Sequence, residues 1–146
     1  MGIHNTKRRD KVSLRASAEM RARTARGIVE AVSAATTELQ EVMSRDPKYP
    51  ATESAALTAL ANFRRRQADI DHAIGEYLAW LQVGGVKRGA MAAALGVRPQ
   101  TIQRLLAAHE ATATARYVDL HRGRGGVWTV ERLERLPALE TGDDAA

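Results

Sequence analysis

The 146-residue chain contains no cysteine. That excludes a disulfide framework, a thiolate nucleophile and any cysteine-ligated zinc or iron–sulfur site. Aromatic residues are scarce: one Phe, two Trp and three Tyr. A core must therefore come mainly from Ala, Leu, Val and Ile, which suit close-packed helices better than a β-sandwich. No apolar run approaches the roughly 18 residues that a membrane span needs. Residues 1–11 are polar and basic, unlike a secretory signal, so the expected location is the cytoplasm. The four histidines (His4, His72, His109 and His121) form no i, i+4 pair and no H-E-x-x-H motif. No glycine-rich segment leads into Lys-Ser or Lys-Thr, and Asp69 and Asp71 point to different sides of a helix. Nothing in the sequence resembles a serine or cysteine nucleophile with a positioned base. The expectation is a protein that is not an enzyme, with no cofactor, no metal and no membrane partner.

Positive charge, by contrast, is in excess and clustered. Lys plus Arg number 22 against 17 Asp plus Glu, and 18 of the 22 are Arg. Residues 1–27 carry a net +6, residues 28–86 a net −3, residues 87–124 a net +5 and residues 125–146 a net −3. Two basic blocks around an acidic middle point to surfaces for a polyanion. Arginine forks onto phosphate and guanine edges better than lysine does.

Residues 1–12 lack periodicity and are expected to be a flexible basic arm. A helix is predicted from Ser13 or Ser17 to Ser44, with an apolar seam at Ile28, Val32, Ala35, Leu39 and Val42. Pro47 and Pro50 break it. Thr52 is a good N-cap for a second helix. Its seam reads Ala56, Leu60, Phe63, Gln67, Ile70, Ile74, Tyr77 and Leu81, and Gly84 and Gly85 end it. Two heptad-patterned segments joined by a proline-bounded turn predict an antiparallel helical hairpin, burying its seams internally or against a second copy. Arg64, Arg65 and Arg66 fan around the second helix and read as mostly solvated.

One stretch, from Arg88 to Ala107, is more specific. Met91 and Leu95 on a first short helix face Ile102 and Leu105 on a second, and small Ala92 sits where the two cross. Gly96 supplies the positive φ of the turn, Val97 fills the space beneath it, and Pro99 fits the first turn of the next helix. The segment resembles the helix-turn-helix superfamily of DNA-binding proteins, over roughly residues 70–131, with residues 70–83 as the third helix. The resemblance implies that the second helix of the pair enters the major groove and presents its N-terminal residues to base edges. Arg98, Gln100, Thr101, Gln103 and Arg104 are then the base-reading candidates, arginine for guanine and glutamine for adenine. Thr101 has capping or packing as its alternative. Lys87 and Arg88 would meet phosphate.

Two β-prone runs, around Val118 and Val127, flank Arg122-Gly123-Arg124-Gly125-Gly126. A hairpin here is what a winged member of the superfamily would show, with Arg122 and Arg124 as candidates for phosphate or the minor groove. An Arg-Gly stretch also suits RNA. A last short helix is expected over 129–139, then an acidic tail.

The expected fold is mainly α: a long helical hairpin leading into a tri-helical helix-turn-helix with a small β-wing. The boundaries are 1–12 (arm), 13–69 (hairpin and dimerisation), 70–131 (DNA module) and 132–146 (short helix and tail). The expected function is sequence-selective binding of double-stranded DNA as a homodimer, most simply a transcriptional regulator in the cytoplasmic nucleoid of a prokaryote or in a phage. The alternatives are a packaging or partition adaptor of small-terminase type, and a nucleoid-associated architectural protein.

Overall fold

The computed structural model describes Ile3–His4 and residues 11–109 and 117–133, with side chains for residues 11–109 and 120–130. The fold is mainly helical, with a small antiparallel sheet towards the C-terminus. Its elements are β1 (Ile3–His4), α1 (Lys11–Ser44), α2 (Glu53–Arg65), α3 (Gln67–Val83), α4 (Arg88–Leu95), α5 (Pro99–Leu106), β2 (Tyr117–Arg122) and β3 (Trp128–Leu133). Among the described residues, no helix is long and apolar enough to cross a membrane.

The 34-residue α1 packs along α2 and α3, which run back beside it as the second arm of a hairpin. Asp46 builds the connection: its carboxylate accepts from the Lys48 amide at 2.9 Å and its carbonyl from the Tyr49 amide at 2.8 Å. The Thr52 hydroxyl then accepts from the Ala55 amide at 3.1 Å and caps α2. The second arm is not the single helix its seam predicts. Arg66, at φ −82° and ψ −1°, divides it, and the Asp69 amide bonds to the Arg66 carbonyl in a tightened turn.

The seam itself is only half-buried. Of its positions Ala35 is buried, but Val32 is 41% and Leu60 51% exposed, and the buried Ala59 lies beside the seam and not in it. The distal hairpin closes instead on small residues and on Asn62, whose side chain accepts from Arg65 at 3.3 Å. Small side chains let the rods approach but bury little area, so this half contributes little to the hydrophobic core.

Real cores form on the two sides of α3. One contains Ala16 and Met20 of α1, Trp80 and Val83 of α3, Leu120 of β2 and Trp128 of β3. The other contains Leu78 and Ala79 of α3, Met91 and Ala92 of α4, and Ile102 and Leu106 of α5. A glycine opens α3 on each side. A Cβ at Gly84 would stand 2.5 Å from the Ser17 Oγ, and one at Gly75 would meet the Leu105 carbonyl, 3.1 Å from its carbon. The two glycines are nine residues apart, about 900° of helical rotation, which sets them on opposite faces. At the C-terminus of α3 the Val86 amide bonds to the Leu81 carbonyl and the Gly85 amide to the Gln82 carbonyl, with Gly85 at φ +95°. This is the paired arrangement that closes a helix on a left-handed glycine.

The sheet has the order β1-β2-β3, all antiparallel, with Tyr117 opposite Leu133 and Arg122 opposite Trp128. Two expectations change here. Ile3–His4, expected within a flexible arm, pairs with Val118 and Asp119. The predicted final helix is strand at least through Leu133, because six residues from Trp128 onward pair in register with β2. The remainder of that predicted helix and the acidic tail lie outside the described residues, as do positions 5–10 of the arm.

Candidate nucleic-acid interface

The α4–α5 unit rests on α3. Gly96 ends α4 at φ +64°, and the Val97 amide bonds back to the Ala92 carbonyl at 3.1 Å. A side chain at that φ would be strained, which explains glycine at this position. Pro99 occupies the first turn of α5, where its missing N–H leaves no bond unmade. Arg98 caps α5 in extended conformation, φ −74° and ψ 151°, without a side-chain bond, so the first amides of the helix have no side-chain acceptor.

α5 is sharply two-sided. Ile102 is 0% and Leu106 1% exposed, and Leu105 is half-buried. Arg98, Gln100, Gln103 and Arg104 are exposed, whereas Thr101 is half-buried, in keeping with the packing alternative. Arg104 does not stand alone: its Nη1 lies 3.1 Å from the Asp71 carboxylate on α3, a solvent-facing pair. On α4, Lys87 is exposed and Arg88 half-buried. Two further expectations are corrected. Leu95 is 52% and Val97 36% exposed, so neither fills the helix crossing; Met91 and Ala92 do that work. Both exposed side chains sit at the turn, beyond the reach of α3.

β2 and β3 lean on α1, and this sets the fate of the Arg122–Gly126 turn. Glu19 of α1 is the hub. It accepts from the Trp128 Nε1 at 2.6 Å, from the Arg122 Nε at 3.0 Å and from the Arg15 Nε at 3.1 Å. Those donors hold its carboxyl down from the ordinary 4.5 to about 2, the Trp128 bond contributing most, then Arg15, with Arg122 also lowering it. The Arg23 guanidinium donates to the Gly125 carbonyl from the next turn of α1. Arg122 is thus tied into the fold, while Arg124 is exposed with no ion pair among the described residues.

Two groupings had no sequence signal. Arg122 and Glu19 are 103 residues apart, and no local pattern joins them. The rings of His72 and His109, far apart in sequence, lie 4.7 Å from one another, with the His109 Nε2 3.2 Å from the His72 carbonyl. Gly75 had a faint signal: a glycine inside a helix is unfavourable unless something approaches closely. Among the described residues no group of three or more His, Asp or Glu is placed to hold a metal ion. No protein-family model, curated protein or solved structure matches the chain.

Proposed function

We propose that the chain binds double-stranded DNA through α5 and acts as a dimeric transcriptional regulator, with α3, α4 and α5 serving as a helix-turn-helix. One observation carries the reading. An eight-residue helix buries Ile102 and Leu106 almost completely, yet turns Gln100, Gln103 and Arg104 outward, beside an exposed Arg98 at its start. A rod fixed by its inner stripe and lined outside by forked donors and amides fits a major groove about 12 Å wide. Arg98 and Arg104 would read guanine, Gln100 and Gln103 adenine. Lys87 and Arg88 would hold phosphate and fix the register. Asp71 pairs with Arg104 and must share or release it when a base arrives.

A single α5 reads too few bases for a unique site, so a two-fold pair is the economical arrangement. The distal hairpin offers the surface for it: Val29, Val32, Leu57 and Leu60 are all exposed apolar residues on α1 and α2. Arg122 and Arg124 sit on the β2–β3 turn, which docks on α1 on the other side of α3, and take no part in this α5 contact. On this reading the protein works at the nucleoid.

The test is selection of bound duplexes from a random library. Enrichment of a palindromic or repeated site, lost in Q100A/Q103A, is the expected result. A library returned without preference overturns the reading. Light scattering decides the assembly: a dimer fits regulation, whereas a ring of many copies transfers the proposal to DNA packaging.

A further inference from the structure

The charge blocks of the sequence are regrouped by the fold. Arg15, Glu19, Arg23 and Arg26 recur at intervals of four, four and three along α1 and so share one helix face. The β2–β3 turn, from the second basic block, docks on that same face through the Arg122–Glu19 pair and the Arg23–Gly125 bond. Arg15 and Arg122 pair with Glu19, Arg23 holds the docked turn, Arg26 lies on the same α1 face and Arg124 in the turn itself, and all five arginines are exposed. Glu30, one turn beyond Arg26, ends the stripe.

The crowding is close. A Cβ at Gly126 would stand 3.3 Å from the Arg122 Nη2 and 3.8 Å from the Arg23 Nη2, so the two guanidiniums flank the same backbone turn. Gly125 and Gly126, at φ +71° and +75°, keep side chains away from them. Glu19 answers Arg122 and Arg15, and Arg23 has only a carbonyl. Arg26 and Arg124 have no ion-pair partner among the described residues. Like charges held side by side on a surface are unfavourable alone and become favourable beneath a polyanion.

This face does not belong to the α5 surface. α1 and the β-hairpin pack on the Trp80 and Val83 side of α3, and α4 and α5 pack on the Leu78 and Ala79 side. We propose that the α1–hairpin arginine cluster is a second DNA-binding surface, one that grips the phosphate backbone of a second duplex segment without reading its sequence. The inference rests on the DNA-binding reading above and adds a bridging capacity to each chain. Guanidiniums beside a glycine-rich turn suit phosphodiesters, because backbone and charge approach the strand together.

The experiment uses the full chain and two variants, R26A/R124A and Q100A/Q103A. Arg26 and Arg124 are exposed and have no ion-pair partner among the described residues, so R26A/R124A is expected to keep the wild-type circular dichroism spectrum. Three quantities are read: the salt dependence of binding to a duplex of unrelated sequence, preference for the library-selected site, and capture of a labelled second duplex by protein on a bead-bound first one. In R26A/R124A the logarithmic salt slope is expected to fall by about two, one per lost phosphate contact. Capture is expected to fall at least tenfold, with site preference kept within about threefold. An unchanged slope and capture overturn the proposal, as does a wild type that captures no second duplex. Displacement of the second duplex by polyglutamate more readily than by DNA at equal charge assigns the surface to an acidic polypeptide and overturns it too. Q100A/Q103A separates the two readings: site preference unaffected there removes the α5 assignment, whatever R26A/R124A does.

Discussion

On one side of α3, Gly84 admits a side chain, the Ser17 hydroxyl; on the other, Gly75 admits a backbone, the Leu105 carbonyl. The α1 side is then cross-linked by polar anchors distant in sequence, with Glu19 taking the Trp128 indole and the Arg122 guanidinium. The α5 side is held by an apolar stripe, with outer ties in the exposed Arg104–Asp71 pair and in the contact of His109 with the His72 carbonyl. A face that closes over itself becomes a platform. A face secured mainly from beneath leaves its upper surface free, which is the property a groove-reading helix needs.

The largest expected effect tests the stripe. Ile102→Ala removes the fully buried anchor of α5 and should destabilise by about 4 kcal/mol in urea unfolding; a loss under about 1 kcal/mol would show that α5 is held by something else. Next come the two glycines. Gly75→Ala forces α5 away from α3 and should cost about 3 kcal/mol, because backbone cannot step aside. Gly84→Ala meets the Ser17 hydroxyl, which can rotate, and the Ser17 Cβ at 2.8 Å, which cannot, so α1 must shift slightly and the cost should be about 2 kcal/mol. Equal costs would erase the contrast between the two sides.

The α1 side should carry a pH dependence of its own. Glu19 titrates lower folded than unfolded, so its contribution is fully present above pH 4.5 and is lost as pH falls towards 2. Calorimetry across that window should show the melting temperature falling more steeply in wild type than in Glu19→Gln. Parallel curves would remove Glu19 as the hub. Smallest is Arg104→Ala, which should change stability by less than about 1 kcal/mol, since exposed pairs contribute little. On the selected DNA site the same change should cost about 1–3 kcal/mol. A uniform loss on every sequence would make Arg104 a phosphate contact.

What the sequence made legible was local. Pro47 and Pro50, the Thr52 cap, Gly85 and Gly96 each act within a few residues, and each marks a boundary where the chain turns. The exposure of Arg98, Gln100, Gln103 and Arg104 was legible too, although the sequence pairs Ile102 with Leu105 as the inward residues and the structure buries Leu106 more deeply. Less was visible where the outcome depended on a neighbour. The heptad seam runs through Gln67 without a break, so it gave no hint of Arg66 or of Ala59, outside the seam, closing the distal half with the seam residue Ala35. Leu95 and Val97 carry an apolar pattern, but a pattern does not reveal that nothing stands opposite. The capture of Arg122 by Glu19, and the pairing of His72 with His109, are made by tertiary packing alone.

Both tryptophans of the chain, Trp80 and Trp128, lie in the cluster on the α1 side of α3. The molecule is therefore optically one-sided. Ultraviolet emission excited at the indole band monitors the platform and is blind to the helix pair behind it. A perturbation that loosens α4 and α5 yet leaves that emission untouched would mark α3 as a mechanical divide, with each flank able to yield by itself.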